Sequence, residues 1–294
     1  MPRFRAKSVD RGRCRVQTRE VIDPRRVLVV PQWKGSGSAQ ARLVAGGADV
    51  LAGLFPGAAR TVADIDAGPG DFAQGVRHLN VLAAARDAVV DIVREWGADG
   101  VVTVGGDCAI ELGPIAQAVA RHGDKLTVVW FDAHPDLNSP QTSPSGAFHG
   151  MVLRTLLGDG PAALVPPPEQ RLHPGKLVLA GVRSWDPPER EFIADNAIRW
   201  VPVRQLQDPA ALLAAVTATG ADSVYLHVDV DVLDPVHVSG LLYPEPGGAH
   251  PQRLRAVLDA LTERFTLAGL GITEYSPPPG TARPDPGLRA LFAD

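Results

Sequence analysis

Cysteine is scarce in this chain. Of 294 residues only Cys14 and Cys108 are cysteine, too few for a disulfide framework, and that usage suits a reducing cytoplasm. Long apolar runs are missing as well. None approaches the roughly 20 residues of a membrane helix, so no membrane partner is expected. There is no surplus of positive charge. The net charge is −4 and the pI near 6.1, which argues against nucleic acid as the main partner, because such binding rests on neutralising phosphates. The opening MPRFRAKSVDRGRCRVQTRE has no apolar core of the kind a secretion signal needs. Residues 1–26 read as a weakly ordered basic tail; an anchoring arm would want more than the one aromatic, Phe4, and a helical pattern that this stretch lacks. No internal repeat and no linker between two cores is visible, so residues 27–294 read as one domain. What is present is ordinary for a soluble globular protein: 45% hydrophobic and 21% charged residues, enough to bury a full core.

Short apolar runs alternate with helical patterns. Predicted strands are VLVV (27–30), TVADI (61–65), VVTV (101–104), TVVWF (127–131), LVLAGV (177–182), IRWVPV (198–203), VYLHVDV (224–230) and LAGLGIT (267–273). Apolar residues near i, i+3, i+4 and i+7 predict helices over 80–96, 109–122, 211–220 and 252–265. Strands buried on both faces and separated by helices imply an α/β fold, a parallel doubly wound sheet of about eight strands. Gly- and Pro-rich loops fall at 31–38, 66–75, 138–148, 158–175 and 234–250. In such a sheet ligands bind beyond the carboxyl ends of the strands.

Two of those ends are unusually acidic. VVWFDAHPDLN sets Asp132, His134 and Asp136 at alternate positions after a buried strand, and YLHVDVDVLDP sets Asp229 and Asp231 likewise. Period-two spacing sends such side chains to one side of an extended segment. One such pair would commonly cap a turn. Two pairs after two buried strands bring together four carboxylates that repel unless cations join them, and two divalent metal ions would balance four charges. A third strand end, VVTVGGDCAI, has Gly105 and Gly106 for a sharp strand-to-helix turn, then Asp107 and Cys108.

GGDCAI, DAHPD and HVDVDVLDP, in that order, resemble the three ligand motifs of the ureohydrolase family of arginases, agmatinases and formimidoylglutamases. The resemblance runs from about Val27 to Pro279. It implies a parallel eight-stranded sheet, a two-metal centre that is usually manganese, a small guanidino substrate, and a homo-oligomer, trimer or hexamer, in the cytoplasm. It implies that Asp132, His134, Asp136, Asp229 and Asp231 are metal ligands, with Asp132 and Asp231 in bridging or shared positions. Cys108 stands where the family has histidine. It is expected to ligate as a thiolate, with a neutral bystander and a decayed site as the competing readings. Sulfur would shift preference from manganese toward softer metals such as zinc or iron.

The segment NSPQTSPSGAFHG resembles the arginase branch. By that resemblance Asn138, Ser143 and Ser145 bind a substrate α-carboxylate, and His149 transfers protons. GVRSWDPPE places Asp186 at a position that meets the α-amino group, while Ser184 and Trp185 depart from the pattern and imply a different pocket mouth. LGITEYSP places Glu274 opposite the guanidinium, whose paired N–H donors suit a carboxylate. The expected reaction is hydrolysis of a guanidinium C–N bond to urea, or a substituted urea, and an amine, with Asp136 carrying the proton. The alternatives are a modified guanidine such as Nω-hydroxy-L-arginine, and a non-catalytic family member that binds a partner. WKGSGSAQ (33–40) lacks the rest of a nucleotide fingerprint and reads as a flexible rim loop. His227, two residues before Asp229, reads as support for a ligand or as a buried strand residue. His78, His122, His173, His237 and His250 read as surface or structural.

Overall fold

A computed structural model describes residues 25–65, 68–97 and 99–292. The predicted tail therefore lies outside the described residues, except for Arg25 and Arg26. Eight strands form one parallel sheet: β1 (Arg26–Val30), β2 (Ala59–Val62), β5 (Val101–Gly105), β6 (Leu126–Phe131), β7 (Leu177–Ala180), β8 (Arg199–Val201), β9 (Ser223–Asp229) and β10 (Thr266–Thr273). Their order is β2-β1-β5-β10-β9-β6-β7-β8. A small antiparallel hairpin, β3 (Phe72–Ala73) with β4 (Val76–Arg77), stands apart.

Alternation sorts the side chains onto two faces. Val129 and Phe131 of β6 join Val224, Leu226 and Val228 of β9 in one core. This core is covered by α1 (Arg42–Ala52), α6 (Ala210–Thr217), α7 (Pro251–Arg264) and α8 (Pro286–Phe292). Val128 and Trp130 share the opposite core with Tyr225 and with residues of α2 (Leu79–Trp96), α3 (Leu112–His122) and α4 (Val152–Leu156). The remaining helix, α5 (Pro187–Asp195), follows β7. Among the described residues no helix is long and apolar enough to cross a membrane.

The topology decides where polar groups can gather. The neighbours β5, β10, β9 and β6 form the middle of the sheet, and their carboxyl ends open side by side. The residues just past those ends are Asp107 and Cys108, Glu274, Asp229 and Asp231, and Asp132 to Asp136. All three predicted motifs and the Glu274 segment therefore converge at one edge, as the strand-end rule for open α/β sheets requires.

Candidate active site

Each strand end is shaped by its own sequence. At β5 the two glycines are steric necessities, since a Cβ on Gly106 would collide with the Gln32 carbonyl. The Asp107 carboxylate caps the following turn by accepting from Ala109 N at 3.0 Å. It also accepts from Gln32 Nε2 (3.0 Å), Gly35 N (2.8 Å) and Ser36 N (3.1 Å). These donors fill the carboxylate, so Asp107 has a structural role here. They also correct the rim-loop expectation for residues 33–40, because Gly35 and Ser36 are tied to the base of the site, and Gly35 O accepts from His149 N at 3.1 Å.

Two tight groups of ligating atoms follow from the other ends. In one, Cys108, Asp229 and Glu274 lie close together, and Cys108 also groups with Asp132 and His227. The thiol donates to Asp229 Oδ2 at 3.3 Å. In the other, Asp132, His134 and Asp231 converge, with His134 Nδ1 at 3.1 Å from Asp231 Oδ2 and 3.5 Å from Asp132 Oδ1. Asp132 is common to both sides. It is held by Trp130 Nε1 (3.0 Å) and His134 N (2.6 Å). Asp231 accepts from Ala133 N at 3.0 Å, and Asp229 accepts from Asp231 N at 2.8 Å. Asp136 lies in the same cleft, outside these two groups, and its Oδ2 is buried without a hydrogen-bond partner.

Asp136 and Glu274 both adopt left-handed backbone, φ 50° and 64°. For non-glycine residues this costs on the order of 1–3 kcal/mol, and it clusters at functional sites. Here it turns both carboxylates into the interior at the sheet edge.

The electrostatics call for positive charge. Burial, and then the Asp231 carboxylate, push Asp132 up to about 6. Burial, and then Asp132, raise Asp136 well above the ordinary carboxylate range; burial, and then Asp231, do the same for Asp229. Burial would raise Asp231 too, but His134 overrides it and holds the pKa below the usual value. For the Cys108 thiol, burial and the Asp229 charge both act upward. Glu274 Oε2, like Asp136 Oδ2, is a buried oxygen with no hydrogen-bond partner among the described residues. Unpaired buried carboxylates are costly, and divalent cations satisfy them. The residues therefore fit a pair of such cations.

A pH prediction arises here. A raised folded-state pKa means that the metal-free fold holds protons that the unfolded chain has released. The Asp132 contribution to stability is therefore full below about pH 4 and is lost as pH rises to about 6. Cations bind the deprotonated form, so the sign reverses for the loaded protein. The rise in Tm on adding Mn2+ should be larger near pH 7.5 than near pH 5. Differential scanning fluorimetry at both pH values checks this, and an increment independent of pH would contradict it.

The substrate-side residues line a cleft of about 210 Å³ above the carboxylates. Asn138, Ser143, Ser145, His149 and Asp186 all line it, as do Ser184 and Trp185. Asn138 Nδ2 donates to Asp186 Oδ2 at 2.9 Å, and Asn138 Oδ1 accepts from Thr142 Oγ1 at 2.8 Å. The Ser143 and Ser145 hydroxyls are 3.5 Å apart. Glu274 Oε1 accepts from Cys108 N at 3.3 Å and lies 3.3 Å from His149 Nδ1. Burial disfavours the His149 imidazolium, but Glu274 outweighs it and raises the pKa.

Three participants escaped the sequence reading. Tyr243 stacks on His149 with ring centroids 5.1 Å apart; nothing in its Pro/Gly-rich loop marked it. Arg183 ties the rim by donating to the Asp231 carbonyl (2.8 Å) and the Glu245 carbonyl (2.7 Å). Glu189 is buried in a capping box with Asp186 and accepts from Leu137 N at 2.9 Å. Burial raises its pKa to about 7. The D-P-P-E spacing after Trp185 carried that capping signal.

Comparison with known proteins gives the family and the fold. The sequence model of the arginase family matches residues 49–285. An arginase of Staphylococcus aureus (strain COL) is 33% identical over 183 residues, and that alignment spans 60% of this chain and 60% of the relative's length. An arginase of Bacillus caldovelox is 34% identical over 213 residues, covering 69% of this chain and 70% of the relative. The solved structure of the B. caldovelox arginase superposes with a TM-score of 0.77 at 26% identity, over 92% of this chain and 95% of that one. The chain belongs to the arginase family.

Proposed function

We propose that the chain is a dinuclear metal-dependent amidinohydrolase that cleaves a guanidinium C–N bond of an arginine-like amino acid. Water is consumed, and urea and an amine are released. The observation that carries this reading is the pair of ligand groups sharing Asp132, with Glu274 and His149 beside them and Asn138 and Asp186 in the same cleft. Cys108, Asp132, His134, Asp136, Asp229 and Asp231 would hold the two ions. Divalent cations bound there supply Lewis acidity, which polarises the substrate and acidifies water toward neutral pH.

The chain's own residues do the rest. Glu274 is 3% exposed, and in so dry a site its carboxylate pairs strongly with the N–H donors of a planar guanidinium. It thereby fixes the orientation of the carbon to be attacked. Asp136, in the same cleft as the ligand carboxylates, accepts the proton released by water and delivers it to the leaving amine. His149 reaches the cleft surface and exchanges that proton with solvent. Asn138 and Asp186 hold the α-carboxylate and α-amino groups at the far end.

Urea release from a panel of guanidines, with manganese, zinc or iron added back, tests the reading. Arginine-like amino acids should be the productive class. No urea from any guanidine with any metal would sink it. Asn138→Ala should raise KM for an amino-acid substrate about tenfold or more while changing that for a decarboxylated analogue such as agmatine less than about threefold. Losing a hydrogen bond to a charged group costs about 1.5–3 kcal/mol, and only the amino acid presents that group. Equal effects on both substrates would remove Asn138 from the carboxylate site.

A further inference from the structure

The imidazole missing at position 108 has a neighbour that could replace it. His227 lies on β9 one pleat below Asp229, on the same face. It is fully buried, at 0% exposure. Its Nε2 lies 3.8 Å from Cys108 Sγ, and the two group with Asp132. Two donors on one tetrahedral ion, at roughly 2.3 Å for sulfur and about 2.0–2.1 Å for nitrogen, stand roughly 3.5 Å apart. The observed spacing is close to that.

The other side of the ring is also prepared. Among the described residues His227 Nδ1 has no hydrogen-bond partner, and Glu111 Oε2 lies 3.7 Å from it. Glu111 is itself at 0% exposure and faces the Tyr225 hydroxyl as well as His227, and among the described residues neither of its carboxylate oxygens has a well-formed hydrogen bond. A carboxylate at this depth is costly unless it is well paired. The sequence keeps the space for it: a Cβ on Gly271 of β10 would collide with the Glu111 carboxylate. Trp130 fixes the ring plane, stacked on His227 at 3.4 Å between centroids and 13° between planes. The same indole donates to Asp132, so one side chain orients both donors.

We propose that His227 is a metal ligand, supplying with Cys108 and Asp132 the imidazole nitrogen that the first motif lacks, and that Glu111 is the carboxylate that orients it. A ligating histidine usually donates its other N–H to such a carboxylate, which fixes the tautomer and strengthens the ligand. A short thiol at position 108 and a deep imidazole at 227 together fill the space that one longer histidine would fill. The inference rests on the dinuclear reading above.

The test is 113Cd–15N coupling in the full chain, labelled with 15N-histidine and loaded with Cd2+ alone. Two imidazole nitrogens should couple to cadmium, those of His134 and His227, and His227→Gln should remove one of them. Calorimetry should show one of two cadmium ions weakened at least about 100-fold in His227→Gln, with the other changed less than about threefold. Glu111→Gln keeps the imidazole and should weaken the same ion about 10- to 100-fold; it stands in should His227→Gln fail to fold. Two bound ions with only one coupled imidazole, or with His227→Gln binding as wild type, would overturn the ligand role and leave the dinuclear reading intact. A wild-type chain that binds no cadmium would overturn both.

Discussion

Asp229→Asn is expected to reduce urea release by at least about 10³-fold, or about 4 kcal/mol in barrier, and to bring bound metal below two ions per chain. The substitution is nearly isosteric. The new side chain's Oδ1 can still accept from Asp231 N, as Asp229 Oδ1 does at 2.8 Å, and its amide can face the Cys108 sulfur, which now donates to Asp229 Oδ2. The lost quantity is one negative charge from a cluster in which Asp231, Asp132 and Glu274 all disfavour Asp229's ionised form. Tm of the metal-stripped protein should therefore stay level or rise, while the increment on adding metal shrinks. Asp132→Asn should be equally inactive but less stable. Its amide would turn an N–H toward the Trp130 indole N–H that now donates to Asp132 Oδ2. An unsatisfied buried donor costs about 1–3 kcal/mol. Either variant with full turnover and two bound ions would disprove the dinuclear centre.

Glu274→Gln is expected to keep both ions and still lose about 10²- to 10³-fold in turnover, the scale of removing a preorganised electrostatic group. The amide oxygen that replaces the carboxylate can accept from Cys108 N, as Glu274 Oε1 does now, so the local backbone, strained at φ 64°, is preserved. Without the carboxylate the guanidinium has no charged partner at this end. A second readout follows from the ion pair. Because Glu274 raises the His149 pKa against the effect of burial, the variant's His149 should titrate at lower pH, which imidazole NMR resonances can follow. Loss of a bound ion together with turnover would show that Glu274 belongs to the metal centre and not to substrate orientation alone.

The sheet was legible because its inner strands are mostly β-branched, aliphatic or aromatic runs buried on both faces. All eight predicted strands are present, although TVADI begins and ends earlier, at Ala59–Val62, and IRWVPV shrinks to Arg199–Val201. The helix expected from 109 begins as a 3-10 turn over Cys108–Glu111, forced by the Gly105–Gly106 turn and the Asp107 cap. Missed were α1, whose RLVAGGADVLA has two glycines that weaken any helical prediction, α4, only 5 residues long, and α5 and α8, which open at prolines. One of those glycines, Gly47, is required because a Cβ there would collide with the Tyr275 carbonyl.

The site was legible where ligands repeat at period two, since strand geometry alone sends Asp132, His134 and Asp136, or Asp229 and Asp231, to one side. It was not legible where partners come from distant strands. Glu111 lies within the predicted helix 109–122, where nothing local marks it for the site. Only the three-dimensional neighbourhood of Gly271 and His227 marks it as buried. Tyr243 and Arg183 were hidden for the same reason: the stacking of Tyr243 on His149 and the bond from Arg183 to the Glu245 carbonyl join loops far apart in the chain, beyond any local pattern.

The most direct test of the dinuclear amidinohydrolase reading is urea release followed while the metal-stripped chain is titrated with a divalent metal, in parallel for Mn2+, Zn2+ and Fe2+. With at least one of these metals, turnover of an arginine-like substrate should rise and level off at two equivalents per chain. Saturation at one equivalent, or full turnover with no metal added, would contradict it.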